Sequence, residues 1–205
     1  VERGLEEAMV MLEGMAEHLR LESGRMEAKC EAVPLAGIMA ALEQELAPAA
    51  RRAGIALRLA RSARAVRADP ALLTRILRNL LTNALLHSGG RRVRVLVRRR
   101  RAIEIAVIDD GSGIPASEAE ALFLPYAQGA GSRRLGHGSG LGLAIAREMA
   151  QLMDGALVAD PRWRTGGAFT LTLPLAASAA PAAMPTASAG AALAGRRLLV
   201  VGDHS

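Results

Sequence analysis

The chain has 205 residues, 51% hydrophobic but only 2% aromatic, which leaves room for one ordinary domain with an aliphatic core plus appendages. The net charge of +6 comes mainly from arginine, concentrated in residues 91–101 (RRVRVLVRRRR), and the absence of interleaved aromatics argues against direct nucleic-acid binding. A single cysteine, Cys30, excludes an intrachain disulfide and fits a reducing, cytoplasmic compartment.

Residues 1–29 read as a long helix, with Leu5, Met9, Leu12, Met15, Ala16 and Leu19 forming an apolar stripe between glutamates. Such a stripe needs a partner, and packing at a dimer interface is the economical solution. His18 lies in this helix with no companion that suggests catalysis. A second helical pattern runs from Pro34 to about Arg52 and stops before Gly54. Two short strands are expected at Ile55 to Leu59 and Ala65 to Arg67. Asp69-Pro70 then supplies an N-cap and a first-turn proline, opening a helix that ends at Ser88-Gly89-Gly90. Within it, Asn79, Asn83 and His87 recur every four residues as one polar stripe beside Leu73, Ile76, Leu77, Leu80 and Ala84. Polar amides at the edge of a core need partners.

In the arginine-rich run, Val93, Val95 and Val97 alternate with charge as in a half-buried strand. The next strand, Ile103 to Asp109, directs Asp109 to the same face as Ile103, Ile105 and Val107, so a carboxylate points at the core. Asp110-Gly111-Ser112-Gly113 follows, where glycines let a flat ligand approach the backbone. Residues 114–137 have weak periodicity and suggest a loop with a short helix around Ser117 to Phe123. A Gly-rich start, GHGSGLGL, opens a helix from Ser139 to Met153 with Leu141, Ile145, Met149 and Leu152 on one face. Gly155 to Ala159 and Ala168 to Leu173 are the closing strands. From Thr165 to Gly195 the chain carries no charge, but Pro174, Pro181 and Pro185 argue against a membrane span. Residues 176–195 read as an Ala/Pro-rich linker and 196–205 as the first strand of another domain.

Three anomalies combine into one chemistry. Asp109 can accept a hydrogen bond from an exocyclic amine such as adenine N6, and a Gly-rich helix start can hold phosphates through backbone N–H groups. Asn83 offers an amide oxygen to Mg²⁺, which takes few protein ligands when phosphates and waters complete its shell. Taken singly, the asparagines could be surface amides, Asp109-Asp110-Gly111 a plain turn, and the glycines a flexible loop. The glycines fit neither a dinucleotide fingerprint nor a P-loop.

In order, NLLTNALLHS, DDGSGI, LFLPYAQ, GHGSGLGLAIAREMAQLMDG and GGAFTLTLP resemble the N, G1, F and G2 boxes and terminal strand of the ATP-binding domain of sensor histidine kinases, over residues 33–175. The resemblance implies an α/β two-layer sandwich of the Bergerat type: a mixed β-sheet packed on three helices, here preceded by a long helix. It makes Asn83 the Mg²⁺ ligand, with Asn79 toward the phosphates, Asp109 the adenine-reading acid, and Gly111 and Gly113 the G1 glycines. Gly138, Gly140, Leu141 and Gly142 become the phosphate side, Phe123 and Tyr126 the F box of a lid, and Arg133 and Arg134 basic groups within reach of a γ-phosphate. Leu86 stands where many members carry a basic residue, which leaves His87 or the two arginines to neutralise phosphate.

Residues 1–32 resemble the end of a dimerisation and phosphoacceptor domain whose acceptor histidine is absent here, and 196–205 the start of a receiver domain. The implied activity is transfer of the ATP γ-phosphate to a histidine of the phosphoacceptor domain. Phosphate then passes to a receiver domain or response regulator of a hybrid kinase that dimerises through the N-terminal helix; membrane anchoring of the parent stays open. The fragment alone is expected not to autophosphorylate. The alternatives are ATP hydrolysis, which in related ATPases uses a glutamate at the position of Asn79, and a non-catalytic nucleotide-binding or scaffolding module.

Overall fold

The computed structural model describes residues 15, 16, 19, 26–127, 140–160, 163 and 166–176. Met15, Ala16 and Leu19 are helical, and among the described residues from 26 onward seven strands and three α-helices lie in this order: β1 (Glu31–Pro34), α1 (Leu35–Arg52), β2 (Ala56–Arg58), β3 (Ala65–Ala68), α2 (Pro70–His87), β4 (Arg92–Arg99), β5 (Ile103–Asp109), α3 (Gly142–Leu152), β6 (Ala156–Ala159) and β7 (Ala168–Leu173). Five strands form one sheet in the order β2-β4-β5-β7-β6. Only β2 and β4 are parallel, so the sheet is mixed. The helices pack on one face of it, giving the expected two-layer α/β arrangement.

α2 is the centre of the helical layer because its cap and its periodicity agree. The Asp69 carboxylate accepts the N–H groups of Ala71 and Leu72 at 2.9 and 3.1 Å, and Pro70 takes the first helical position, where its missing N–H costs nothing. Leu73, Ile76, Leu77, Leu80 and Leu81 are all fully buried, each contributing about 1.5–3 kcal/mol by leaving water. From the sheet side Val93, Ile105, Val107, Leu171 and Leu173 meet them. Arg78 makes a two-pronged ion pair to Glu45 of α1, at 2.6 and 2.9 Å. Both side chains are over 40% exposed, so the pair orients α1 against α2 more than it stabilises the fold.

Four details depart from the periodicity. The helical spacing predicts helix through residue 29, yet residues 26–30 are irregular; the Lys29 N–H is drawn to the second Asp69 oxygen at 3.0 Å. β1 then pairs antiparallel with β3 in a small separate sheet, to which Leu175 adds a bridge at Val66. Leu152 is 37% exposed, and Met153 is fully buried in its stead, because the helix ends there and the chain turns through Asp154. Only Ala121–Phe123 of the short helix expected at 117–123 is helical, as a single 3₁₀ turn. The rest of the N-terminal stripe, His18, residues 177–195 of the linker and residues 196–205 lie outside the described residues.

Candidate functional site

The site is built where three backbone segments converge at one end of the sheet: the turn after α2, the loop after β5, and Gly166-Gly167 before β7. Among the described residues Asp109 is the one buried polar or charged side chain, 8% exposed. Strand alternation carries it inward as it does Ile105 and Val107. Burying a carboxylate requires donors. Its Oδ1 accepts the N–H of Gly111 at 2.9 Å and that of Gly167 at 3.0 Å, and its own N–H donates to the Gly167 carbonyl. No described residue donates to Oδ2. The carboxylate is thus fixed by one oxygen and presents the other as an acceptor.

Glycines make the convergence possible. A Cβ on Gly111 would overlap the Ser88 carbonyl, and one on Gly166, which has φ +113°, would overlap the carbonyl of Asp109. One on Gly90 would stand 2.5 Å from Asp110 Oδ1. Gly113, at φ +83°, continues the same loop.

Asp110 ties this loop to the start of β4. Its Oδ1 accepts the N–H groups of Arg91 and Arg92, each at 2.7 Å, and its Oδ2 accepts Arg92 Nε at 2.8 Å. The Arg92 side chain foremost, with the backbone donors, lowers its pKa from the ordinary carboxylate value to about 2. A depressed carboxylate stabilises the fold fully above its unfolded pKa, near 4, and loses that contribution as pH falls toward 2. We therefore expect the acid-unfolding profile of Asp110→Asn to be flatter than wild type between pH 4 and 2. Parallel profiles of the two proteins, followed by circular dichroism, would remove this role.

On α2, Asn79, Asn83 and His87 are half-buried along one side. Asn79 Nδ2 donates to the Gly142 carbonyl at 3.2 Å, which joins the stripe to the first residue of α3. That helix has no acid in its first turn, and Leu141 at its N-cap, itself fully buried, supplies no side-chain hydrogen bond. The helix start therefore retains its positive end for an anion. Gly140, at φ +70°, lies against Tyr126, whose N–H donates to the Gly140 carbonyl at 3.1 Å. Tyr126 has a positive φ of 64° and is exposed. Phe123 by contrast is buried edge-on against Phe169, ring centroids 6.1 Å apart, under the guanidinium of Arg147 at 4.7 Å. It anchors the segment after β5 against β7 and α3. Arg133, Arg134 and Gly138 lie outside the described residues.

No cluster of three His, Cys, Asp or Glu side chains that could hold a metal occurs among the described residues. A cation here would rest on neutral amide oxygen and on ligand oxygens, which suits Mg²⁺ with a polyphosphate. Motif reasoning did not single out Gly90, Asp110, Gly166 or Gly167 as parts of the site. Two Gly-Gly pairs, 89–90 and 166–167, were the available signal.

The family model described as histidine kinase-, DNA gyrase B- and HSP90-like ATPases matches residues 68–177. The chain belongs to that family. Curated relatives within this family include proteins named as sensor histidine kinases. The signal transduction histidine-protein kinase AfsQ2 of Streptomyces coelicolor is 44% identical over 109 residues, covering 53% of this chain and 20% of AfsQ2. The chain thus spans about a fifth of that relative. Among solved structures, full-length ShkA in complex with AMPPNP superposes with a TM-score of 0.72 at 22% identity, over 82% of this chain and 36% of ShkA. The mycobacterial sensor histidine kinase MprB gives 0.60 at 28% identity, over 71% of this chain and 97% of that structure.

Proposed function

We propose that this chain is the ATP-binding catalytic part of a sensor histidine kinase, holding Mg-ATP and presenting its γ-phosphate to a histidine outside the described fold. The observation that carries this reading is Asp109: a buried carboxylate held through Oδ1 by two backbone donors, with Oδ2 left as an acceptor beside glycines that admit a flat ring. In the proposed complex Oδ2 accepts the adenine 6-amino group, and Gly111 and Gly113 let the base lie against the backbone. The start of α3 at Gly140, Leu141 and Gly142 receives phosphate oxygens, with Gly138 just ahead of it. Asn83 holds Mg²⁺, which would neutralise charge on those oxygens. Asn79 keeps α3 in place beside the metal ligand, and His87, Arg133 and Arg134 supply positive charge near the γ-phosphate. Phosphoryl transfer is mostly positioning and charge neutralisation, and these residues provide both.

Asn79 favours transfer over hydrolysis. An amide cannot take a proton from water, and the Nδ2 of this one already donates to the Gly142 carbonyl. In the proposed parent, residues 33–175 form the catalytic unit and residues 1–32 end the dimerisation and phosphoacceptor domain. Residues 176–195 link to a receiver that begins at 196, and the catalytic unit works in the cytoplasm. No described helix is long and apolar enough to cross a membrane.

The test is metal dependence. Asn83 is half-buried on a helix that tolerates alanine, so Asn83→Ala is expected to fold. Wild type should bind ATP at least tenfold more tightly with Mg²⁺ than with chelator, and Asn83→Ala should lose that difference. Equal metal dependence in the two proteins, read by calorimetry, would overturn Asn83 as the ligand.

A further inference from the structure

β4 extends over Arg92–Arg99, but β2 pairs with it only at Arg92–Arg94. Along the remaining residues no described strand lies on that side, although the other side is laddered to β5 through Arg99. Arg92 turns its carbonyl to β5, where it accepts the Asp110 N–H at 3.2 Å. Backbone groups alternate along a strand, so those of Val97 and Arg99, beyond the last residue paired with β2, point toward the unpaired edge.

Side chains divide by the same period. Arg94 and Arg98 stand on the outer face, with Arg58 in register beside Arg94, while Val95 and Val97 face the helical layer. Val97 is half-buried, so its apolar surface is partly open at the edge. A groove runs between Arg58–Ala60 and Arg94–Arg98. None of its three arginines is salt-bridged to a described residue; Glu104, opposite Arg98, pairs instead with Arg100 at 3.5 Å. The groove is separate from the candidate site, because Asp109 lies opposite Val93 at the other end of β4.

Arginines on an open edge repel a second copy of the same edge. The same charges attract an acidic strand. We propose that this edge takes an extended acidic segment of a partner protein as an added strand. Alternate Asp or Glu side chains lie beside Arg58, Arg94 and Arg98, and the intervening apolar side chains lie beside Val95 and Val97.

The probe is a capped, fluorescein-labelled hexapeptide alternating Glu and Val, titrated into the full chain. Expected results are saturable anisotropy and at least fivefold slower hydrogen exchange at the Val97 N–H. Arg94→Glu with Arg98→Glu should weaken binding at least tenfold. N-methylating one alternate set of peptide amides should abolish binding while methylating the other set is tolerated, an asymmetry that needs no protein variant. Absence of binding at millimolar peptide, equal binding of both methylated peptides, or equal binding of a Lys/Val peptide would each overturn the proposal.

Discussion

Asp109→Asn is expected to fold normally and to lose ten- to a hundredfold in ATP affinity. The asparagine side-chain oxygen can still accept the Gly111 and Gly167 N–H groups that fix Oδ1, so the loop keeps its geometry. Its amide nitrogen then replaces Oδ2 and sets a donor where the nucleotide also offers a donor. A hydrogen bond to a charged group is worth about 1.5–3 kcal/mol, which is the stated loss. The base supplies a second reading. Wild type should prefer ATP over the inosine analogue, whose 6-position carries oxygen, and the variant should flatten or reverse that preference. Unchanged ATP affinity together with an unchanged ATP-to-inosine ratio, measured by calorimetry, would remove Asp109 as the reader of the base.

Gly111→Ala is expected to be among the most damaging single methyl additions in the chain. The new Cβ would overlap the Ser88 carbonyl and lie 2.6 Å from the Ser88 carbonyl carbon, and neither atom can yield without moving the turn after α2. Overpacking of this kind costs about 1–3 kcal/mol, and a backbone obstacle belongs at the upper end. The displaced Gly111 N–H would also leave Asp109, so nucleotide binding should fall along with the melting temperature. Gly89→Ala is the matched control. Gly89 has φ +66° but nothing within 4 Å of a Cβ, so alanine there costs only the left-handed conformation, about 1 kcal/mol, and leaves binding intact. Comparable melting temperatures for the two variants would contradict the contact.

What could be read from the sequence was whatever local chemistry and period agree on. α2 was legible because an Asp-Pro start, an apolar arc and a terminal Gly pair all point to one helix. Asp109 was conspicuous because a period of two places it among isoleucines. The illegible parts are made by contacts between distant segments. Asp110 reads as an ordinary turn residue until folding brings Arg91 and Arg92 to it from 19 and 18 positions away. Gly166 and Gly167 read as a flexible pair, although Asp109 is what requires them to lack side chains. β1 is too short to announce itself and exists through its pairing with β3. Phe123 matched a lid motif, but its burial follows from Phe169 and Arg147, neither of them its neighbour in sequence.

The contacts of Phe123 and Tyr126 have a mechanical consequence. Arg147 of α3 holds Phe123 from above and also pairs with Glu120 at 2.9 Å, so the segment before Leu124 rides on α3 as part of one frame. The Tyr126 N–H then reaches the Gly140 carbonyl, which brings residues 126 and 140 together at a single neck. Residues 120–126 are thus tied to Arg147 by two side chains and to Gly140 by one backbone hydrogen bond. A shift of α3 must carry that segment with it, so a displacement felt at Gly140 is transmitted to Phe123 and, through its ring, to Phe169 of β7.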